Sequence, residues 1–287
     1  MLYKPKKIDY TSPASAQGGP GTQKAVTHYF GSPYIDMTAA QFQAISGAIG
    51  ATLGDTWWLG GGAGASGGNA FMFVKADEAL TLGQVVAPAT PQDTTAHNPA
   101  GESTTAYVTT HYDTSLLAAN AEVDNWVWVT ATGATLPQLR RIKANTAATL
   151  SRFTVSRPDP LRPNSPNDQD VFDTAATDND VVKIIRPYHV ILATSATPMI
   201  GVALGAVTSG NYTIVQVAGL ACVSATNNGA ATVVNVPAKC DAGTAGTITG
   251  AAGTATLYNA AASILPQIAY NAAGPLVIPC FVNFTGQ

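Results

Sequence analysis

Residues 201–223 read GVALGAVTSGNYTIVQVAGLACV, and this stretch decides the fold class. Tyr212–Val217 (YTIVQV) is built mostly from aromatic and β-branched residues between turn residues, which is the make-up of a strand and not of a helix. Gly210-Asn211 and Ala218-Gly219 are chain-turning pairs, so the segment predicts short strands at 201–206, 212–217 and 220–223. Outward from here the same pattern recurs at 71–75, 84–87, 105–109, 126–130, 139–144, 152–155, 181–185, 189–193, 233–236 and 276–284. Gly, Pro, Asn or Asp punctuate the gaps. The spacing predicts a mainly β protein, an antiparallel sandwich or barrel with an extended N-terminal arm and one short helix.

The helix is predicted at 39–52. Thr38 supplies the cap, Gln41 completes a capping box, and Phe42, Ile45 and Ile49 fall on one face. Residues 1–36 are rich in Pro, Gly, Ser and Tyr without a sustained period, which is the signature of an arm that lies on a neighbour. Lys4, Lys6, Lys7, Tyr10, Tyr29, Phe30 and Tyr34 are its candidate contact residues. The tryptophans at 57 and 58 are expected to anchor the junction that follows. The expected organisation is an arm plus short helix over 1–60 and a β-rich domain over 61–287. A Pro-rich loop projects from that domain at about 157–180, or divides it into two lobes. Gly243–Gly253 is built from Gly, Ala and Thr around Ile248 and cannot fill a core by itself.

Charge is distributed very unevenly. From Pro187 to Gln287 only Lys239 and Asp241 are charged, where a soluble domain would place about a quarter of its residues. A surface that other chains cover must avoid desolvating ions, so this half reads as assembly surface. Trp126, Trp128, Tyr212, Val215 and Val217 are the candidate self-association residues. The net charge of −3 supplies no basic field for nucleic acid. The longest charge-free windows, such as Pro187–Val207, are interrupted by His189, Pro198 and several Ser and Thr, which argues against a membrane span. No signal-peptide core follows the basic residues near Met1, so the expected site of synthesis is the cytosol. Cys222, Cys240 and Cys280 have no zinc-site spacing; buried thiols are the default, with a Cys222–Cys240 bridge as the alternative.

Signatures of chemistry are weak. Gly62, Gly64 and Gly67 spell GxGxxG, but the following Phe71-Met72-Phe73-Val74 reads as a strand, whereas a dinucleotide site needs a helix there. His28, His97, His111 and His189 show no metal-ligand spacing and no neighbouring nucleophile and carboxylate. The aspartates at 168, 170, 173, 178 and 180 lack the glycine and closing Glu of a calcium loop; a solvated or Arg-paired acidic loop is expected. No catalytic residue, cofactor or metal ligand is assigned.

Three stretches resemble the head decoration, or capsid cement, proteins of tailed bacteriophages. They are Ala79–Val86 (ALTLGQVV), Asn125–Val129 (NWVWV) continuing through Gly133 to Arg141, Ile142, Asn145 and Thr146, and Ile200–Ala206 together with Gly210–Gly219. The resemblance implies a non-enzymatic virion protein that binds the major capsid protein on the capsid exterior. It also implies a homotrimer at lattice three-fold positions whose arms reach across subunits. A head fibre, tail fibre or tailspike component is a rival, although no long repetitive shaft is visible. A major capsid protein would need a charged spine helix that the sequence lacks. A carbohydrate-binding or hydrolytic β-domain is the rival from another class, with Trp57, Trp58, Trp126 and Trp128 as sugar platforms.

Overall fold

A computed structural model describes residues 34–49, 51–59, 69–99, 101–111, 118–123, 125–134, 136–147, 150–156, 171–227, 231–250, 264–272 and 274–284. Along the chain come α1 (Ala39–Ile49), β1 (Thr56–Leu59), β2 (Asn69–Ala76), β3 (Val85–Pro88), β4 (Gln92–Thr95), β5 (Tyr107–His111), β6 (Trp126–Thr130), β7 (Gln138–Asn145) and β8 (Leu150–Ser156). They are followed by β9 (Val181–Ile185), β10 (His189–Leu192), β11 (Gly201–Ala203), β12 (Tyr212–Ala225), β13 (Ala238–Cys240), β14 (Ile248–Gly250), β15 (Ile264–Pro266) and β16 (Leu276–Asn283). The protein is mainly β with one short helix among the described residues, as the alternation predicts. The expected arm over 1–36 lies outside the described residues except for its last three.

Where the sequence suggests one β-rich domain over 61–287, the chain divides into two compact units. One is Thr90–Pro187, inserted between the two segments, ending at Ala89 and starting at Tyr188, that build the other. In the outer unit the pairing closes on itself. β2 pairs β10, β10 pairs β3, β3 pairs β11, β11 pairs β12, and β12 returns to β2. The β2–β10 and β12–β14 pairings are parallel and the rest in this unit are antiparallel. A ring of five strands leaves little room inside. This accounts for the Ala and Val excess: Val74, Ala76, Val190, Val202 and Val215 are fully buried in one core.

Residues on the other face of β2 and β12 are buried as well. Phe71, Phe73 and Ile214 join Tyr34, Met37 and Phe42 in a second core beneath α1. The phenyl ring of Phe42 stacks on Tyr212 at 4.5 Å between centroids and meets Phe73 edge-on at 5.6 Å. The helix starts at the predicted capping box: Thr38 N–H donates to Gln41 Oε1 (2.8 Å) and Gln41 N–H to Thr38 Oγ1 (3.3 Å).

The two strands expected at 212–217 and 220–223 are one strand of 14 residues, β12, with an irregularity between Gln216 and Ala218. Its first half belongs to the five-strand ring. Its second half pairs with β16 from Ala218 to Ala225, and β15, β14 and β13 extend this part into a wing. The Gln216 side-chain amide donates to the carbonyls of Ala218 (3.2 Å) and Leu220 (3.0 Å), and Asn69 Oδ1 accepts from Leu220 N–H (3.1 Å). Gly219 sits at φ +99°, and a Cβ there would lie 2.0 Å from Asn69 Oδ1, so only glycine fits this crossing. Ile248, expected in a stretch unable to build a core, is fully buried on β14 because it adds one large side chain to a core others complete. The strand expected at Val233–Val236 is instead a turn around Asn235, whose φ of +57° is incompatible with a strand.

The inserted unit is a six-strand antiparallel sheet in the order β4-β9-β6-β7-β8-β5. A bridge between Ala96 and Thr110, with His97 N–H donating to the Thr109 carbonyl at 2.8 Å, draws its two edges together. Val127, Val129, Ile142, Phe153, Val155, Val182 and Ile184 fill its core. The loop expected to project over about 157–180 is corrected in its described part, 171–180. Phe172 and Ala176 are buried in the core, because Gln138 and Arg140 hold the segment down. Gln138 exchanges hydrogen bonds with Thr174 (2.9 and 3.1 Å), and Arg140 donates to the Val171 carbonyl (2.9 Å) and pairs with Asp173 (3.3 Å). Residues 157–170 lie outside the described residues.

Candidate interaction surfaces

Among the described residues, two faces present side chains that strand pairing does not consume. The first is the outer face of the six-strand sheet. On β6 the burial alternates, with Val127 and Val129 inward and Trp126 and Trp128 outward and half-buried. The register sets Trp126 between Arg141 and Ile185, and Trp128 between Leu139 and Lys183. Lys183 Nζ pairs with Asp93 at 2.7 Å, and the Arg152 guanidinium lies 4.1 Å over the Tyr107 ring. Two residues apart on one strand, the two tryptophans share one face.

The second face is the outside of the wing. Cross-strand rows run Leu220–Phe281–Leu265, then Cys222–Pro279, then Ser224–Val277, where Ser224 is buried. The alternate residues Ala221, Val223, Ile278, Cys280 and Val282 point into the core. Eight of the eleven exposed large hydrophobic residues among those described lie between Leu220 and Phe281 in this region. Leu220 is 52% exposed, Phe281 48% and Leu276 50%. Asn235 N–H donates to the Pro266 carbonyl (2.9 Å), which draws the turn bearing exposed Val233, Val234 and Val236 to the end of β15.

The remaining predicted site residues fall as follows. Val215 and Val217 are corrected: both are buried in the ring core and cannot face a second chain without opening it. Tyr212 is half-buried beneath Phe42, with Lys75 Nζ 5.8 Å above its ring. Tyr34 is also corrected, from arm contact to core residue; it is buried edge-on against Phe73 at 5.9 Å, and burial pushes its hydroxyl pKa up. Asp36 beside it accepts from Thr208 N–H (2.6 Å) and the Asn211 amide (2.9 Å), and these bonds hold its carboxyl below the ordinary carboxylate range. Lys4, Lys6, Lys7, Tyr10, Tyr29 and Phe30 lie outside the described residues, as do the side chains at 57 and 58 and the GxGxxG segment. A strand, β2, follows that segment where a dinucleotide site would need a helix.

No family model, curated protein or solved structure matches this chain. The reading of the surfaces therefore rests on their own chemistry. Cys222 is exposed on the wing, whereas Cys240 and Cys280 are buried and all three are free, so the alternative of a Cys222–Cys240 bridge is corrected. Burial pushes both buried thiols up to about 12. The fold also makes an approach the sequence did not signal: His189 Nδ1 lies 2.7 Å from Asp77 Oδ1, tying β10 to the turn after β2. Ser209 Oγ donates to the Asp77 carbonyl at 2.7 Å, so this hydroxyl serves the same turn. Among the acidic cluster, Asp173 pairs with Arg140, Asp178 accepts from Asn98 N–H (3.0 Å), and Asp180 accepts from Thr132 and Thr177.

Proposed function

We propose that this chain is a structural virion protein that binds the outside of a phage capsid and stabilises its lattice as a homo-oligomer. The observation that carries the reading is the wing: an exposed apolar face on strands β12, β15 and β16, none of which contains a charged residue. Apolar area in contact with water is unfavourable by about 25 cal/mol per Å², so a face of this kind is stabilised by being covered. The resemblance of the three sequence stretches suggests the major capsid protein as partner and three copies as the assembly. Such a role asks for surfaces and stability and requires no catalytic group.

The test is reconstitution. Capsids assembled without this chain are incubated with the purified protein and imaged, and their resistance to heating is compared with bare particles. Added density on the outer surface and a raised disruption temperature are expected; bare particles at saturating protein concentration would refute the reading. A chain lacking residues 1–33 keeps Tyr34, Met37 and the helix cap, so it isolates any contribution of the arm to occupancy. The carbohydrate-binding reading has its own support in Trp126 and Trp128, half-buried on one face beside Arg141 and Lys183. Binding to a glycan array without particle binding would favour it.

A further inference from the structure

We propose that two copies of this chain meet face to face on the outside of the wing, about a two-fold axis passing by Cys222 and Pro279. This inference rests on the self-association proposed above; being isologous, the contact joins pairs of copies and is separate from any contact that closes a trimer. The outer face has three rows across β12 and β16. Leu220 and Phe281 form a bulky row, Cys222 and Pro279 a middle row, and Val277 beside the buried Ser224 a smaller one. The middle row is two residues from each of the others along both strands. A two-fold rotation about it lays the bulky row of one copy on the smaller row of its mate, which is the self-complementarity an isologous contact requires.

Charge selects the occupant. A charged partner would lose hydration on this face and find no counter-ion, because β12, β15 and β16 contain no Lys, Arg, Asp or Glu. The same face of a second copy has no charge to desolvate. Area points the same way. β12 and β16 paired over eight residues, with β15 adding three, at about 4.8 Å between strands and about 3.4 Å per residue, give roughly 300 Å² of sheet face. A stable pair needs about 800 Å² per partner, so the sheet face must recruit its surroundings. The apolar surroundings are present: Val233, Val234 and Val236 at the end of β15 and Ile268 beyond it are all exposed. A contact of this kind pairs copies whatever further symmetry a lattice adds.

Cys222 gives the experiment its probe. Sheets packed face to face lie about 10 Å apart, which is too far for a direct disulfide and within reach of a short bis-maleimide linker. The full chain is treated with bis-maleimidoethane, resolved on a denaturing gel, and sized in parallel by light scattering. Expected are a covalent dimer band and a solution mass of at least two copies. The band is lost in Cys222→Ser. Both band and mass are lost in Phe281→Asp, with the circular dichroism of the wild type retained. If Phe281→Asp fails to fold, Leu220→Asp takes its place and must give the same result. A monomeric wild type at high concentration overturns the proposal, and so does an oligomer that gives no Cys222 crosslink. Particle binding separates the two claims. A crosslinked dimer that leaves capsids bare sinks the virion role alone, whereas a monomer that decorates capsids sinks this contact alone.

Discussion

The inserted unit Thr90–Pro187 carries nineteen of the chain's 31 charged side chains, and the whole segment from Tyr188 onward carries two. Burial is arranged in the opposite sense. The inserted unit takes Glu122, Arg140, Gln138, Asn145 and Asp180 out of solvent and satisfies them within the fold. The wing buries mostly Ala, Val, Ile and Cys, with Asp241 its one buried charge beside Ser224, Thr247 and Thr249, and leaves Leu220, Leu276 and Phe281 in solvent. One unit is therefore specified by a polar network that must be complete to be worth burying, and its exterior needs no cover. The other is held mainly by apolar packing that spills onto its surface, and that surface is better covered.

The largest effect should come from breaking the polar network. Glu122 is buried and receives both the Nε and Nη2 hydrogens of Arg186, with Nε at 3.0 Å from Oε2, and accepts from the Asn125 amide at 2.9 Å. Gln92 Oε1 accepts from Arg186 Nη2 at 2.9 Å. Glu122→Ala strands the guanidinium, and a loss of about 3–5 kcal/mol is expected from urea unfolding. The double variant Glu122→Ala with Arg186→Met should recover part of it. If the single change left the unfolding midpoint in place, the contrast between the units would collapse.

Next in size is Gly219→Ala, which tests the crossing from ring to wing. Its Cβ would sit 2.0 Å from Asn69 Oδ1 and 2.9 Å from Asn69 Cα, at a φ of +99°. A cost of about 2–3 kcal/mol is expected, because backbone as well as side chain must move. Adding Asn69→Ala should relieve the side-chain clash but not the strain in φ.

Acid sharpens the comparison further. Burial would raise the carboxyl of Asp180, but hydrogen bonds from Thr132 and Thr177 outweigh it and hold its pKa below the ordinary carboxylate value. A depressed pKa stabilises the fold above the unfolded-state value and is lost as pH falls through the folded one. Unfolding of the inserted unit should thus grow easier on acidification below the normal aspartate range, and Asp180→Asn should flatten that dependence. A wild-type curve indifferent to acid in that window would contradict the assignment.

The smallest effect on folding is expected at the wing surface. Phe281→Ser should change monomer stability by no more than about 0.5 kcal/mol, since the ring is half exposed. Thiol labelling of the folded chain should modify Cys222 alone, because thiols whose pKa is raised to about 12 yield no useful thiolate at neutral pH. Labelling of all three would mean that the wing core is open.

Much of the strand pattern was legible because period-two alternation survives wherever one face is buried and the other is not, as on β6 and β16. It faded where both faces are buried. β12 reads as two strands because Ala218-Gly219 looks like a turn, yet pairing with β16 carries the chain straight through. The short strands β13, β14 and β15 were missed: three residues are too few to show a period, and only their partners make them strands. The capping box at Thr38 and Gln41 was readable because its bonds are local. Val215 and Val217 were misassigned to a surface because alternation reports which residues share a face and not which face is inside. The wing surface was foreshadowed only by its lack of charge.

By itself the sequence determined the β class, the helix and its cap, and the charge-poor half, since these depend on residues near one another along the chain. The tertiary structure decided what distance along the chain conceals. It closed five strands into a ring through the β12–β2 pairing, set Thr90–Pro187 apart as a unit of its own, and turned Leu220, Pro279 and Phe281 outward together. Each of these depends on which strand lies beside which. Pairing between distant strands is fixed by the packing of the whole core, and no local run of residues encodes it.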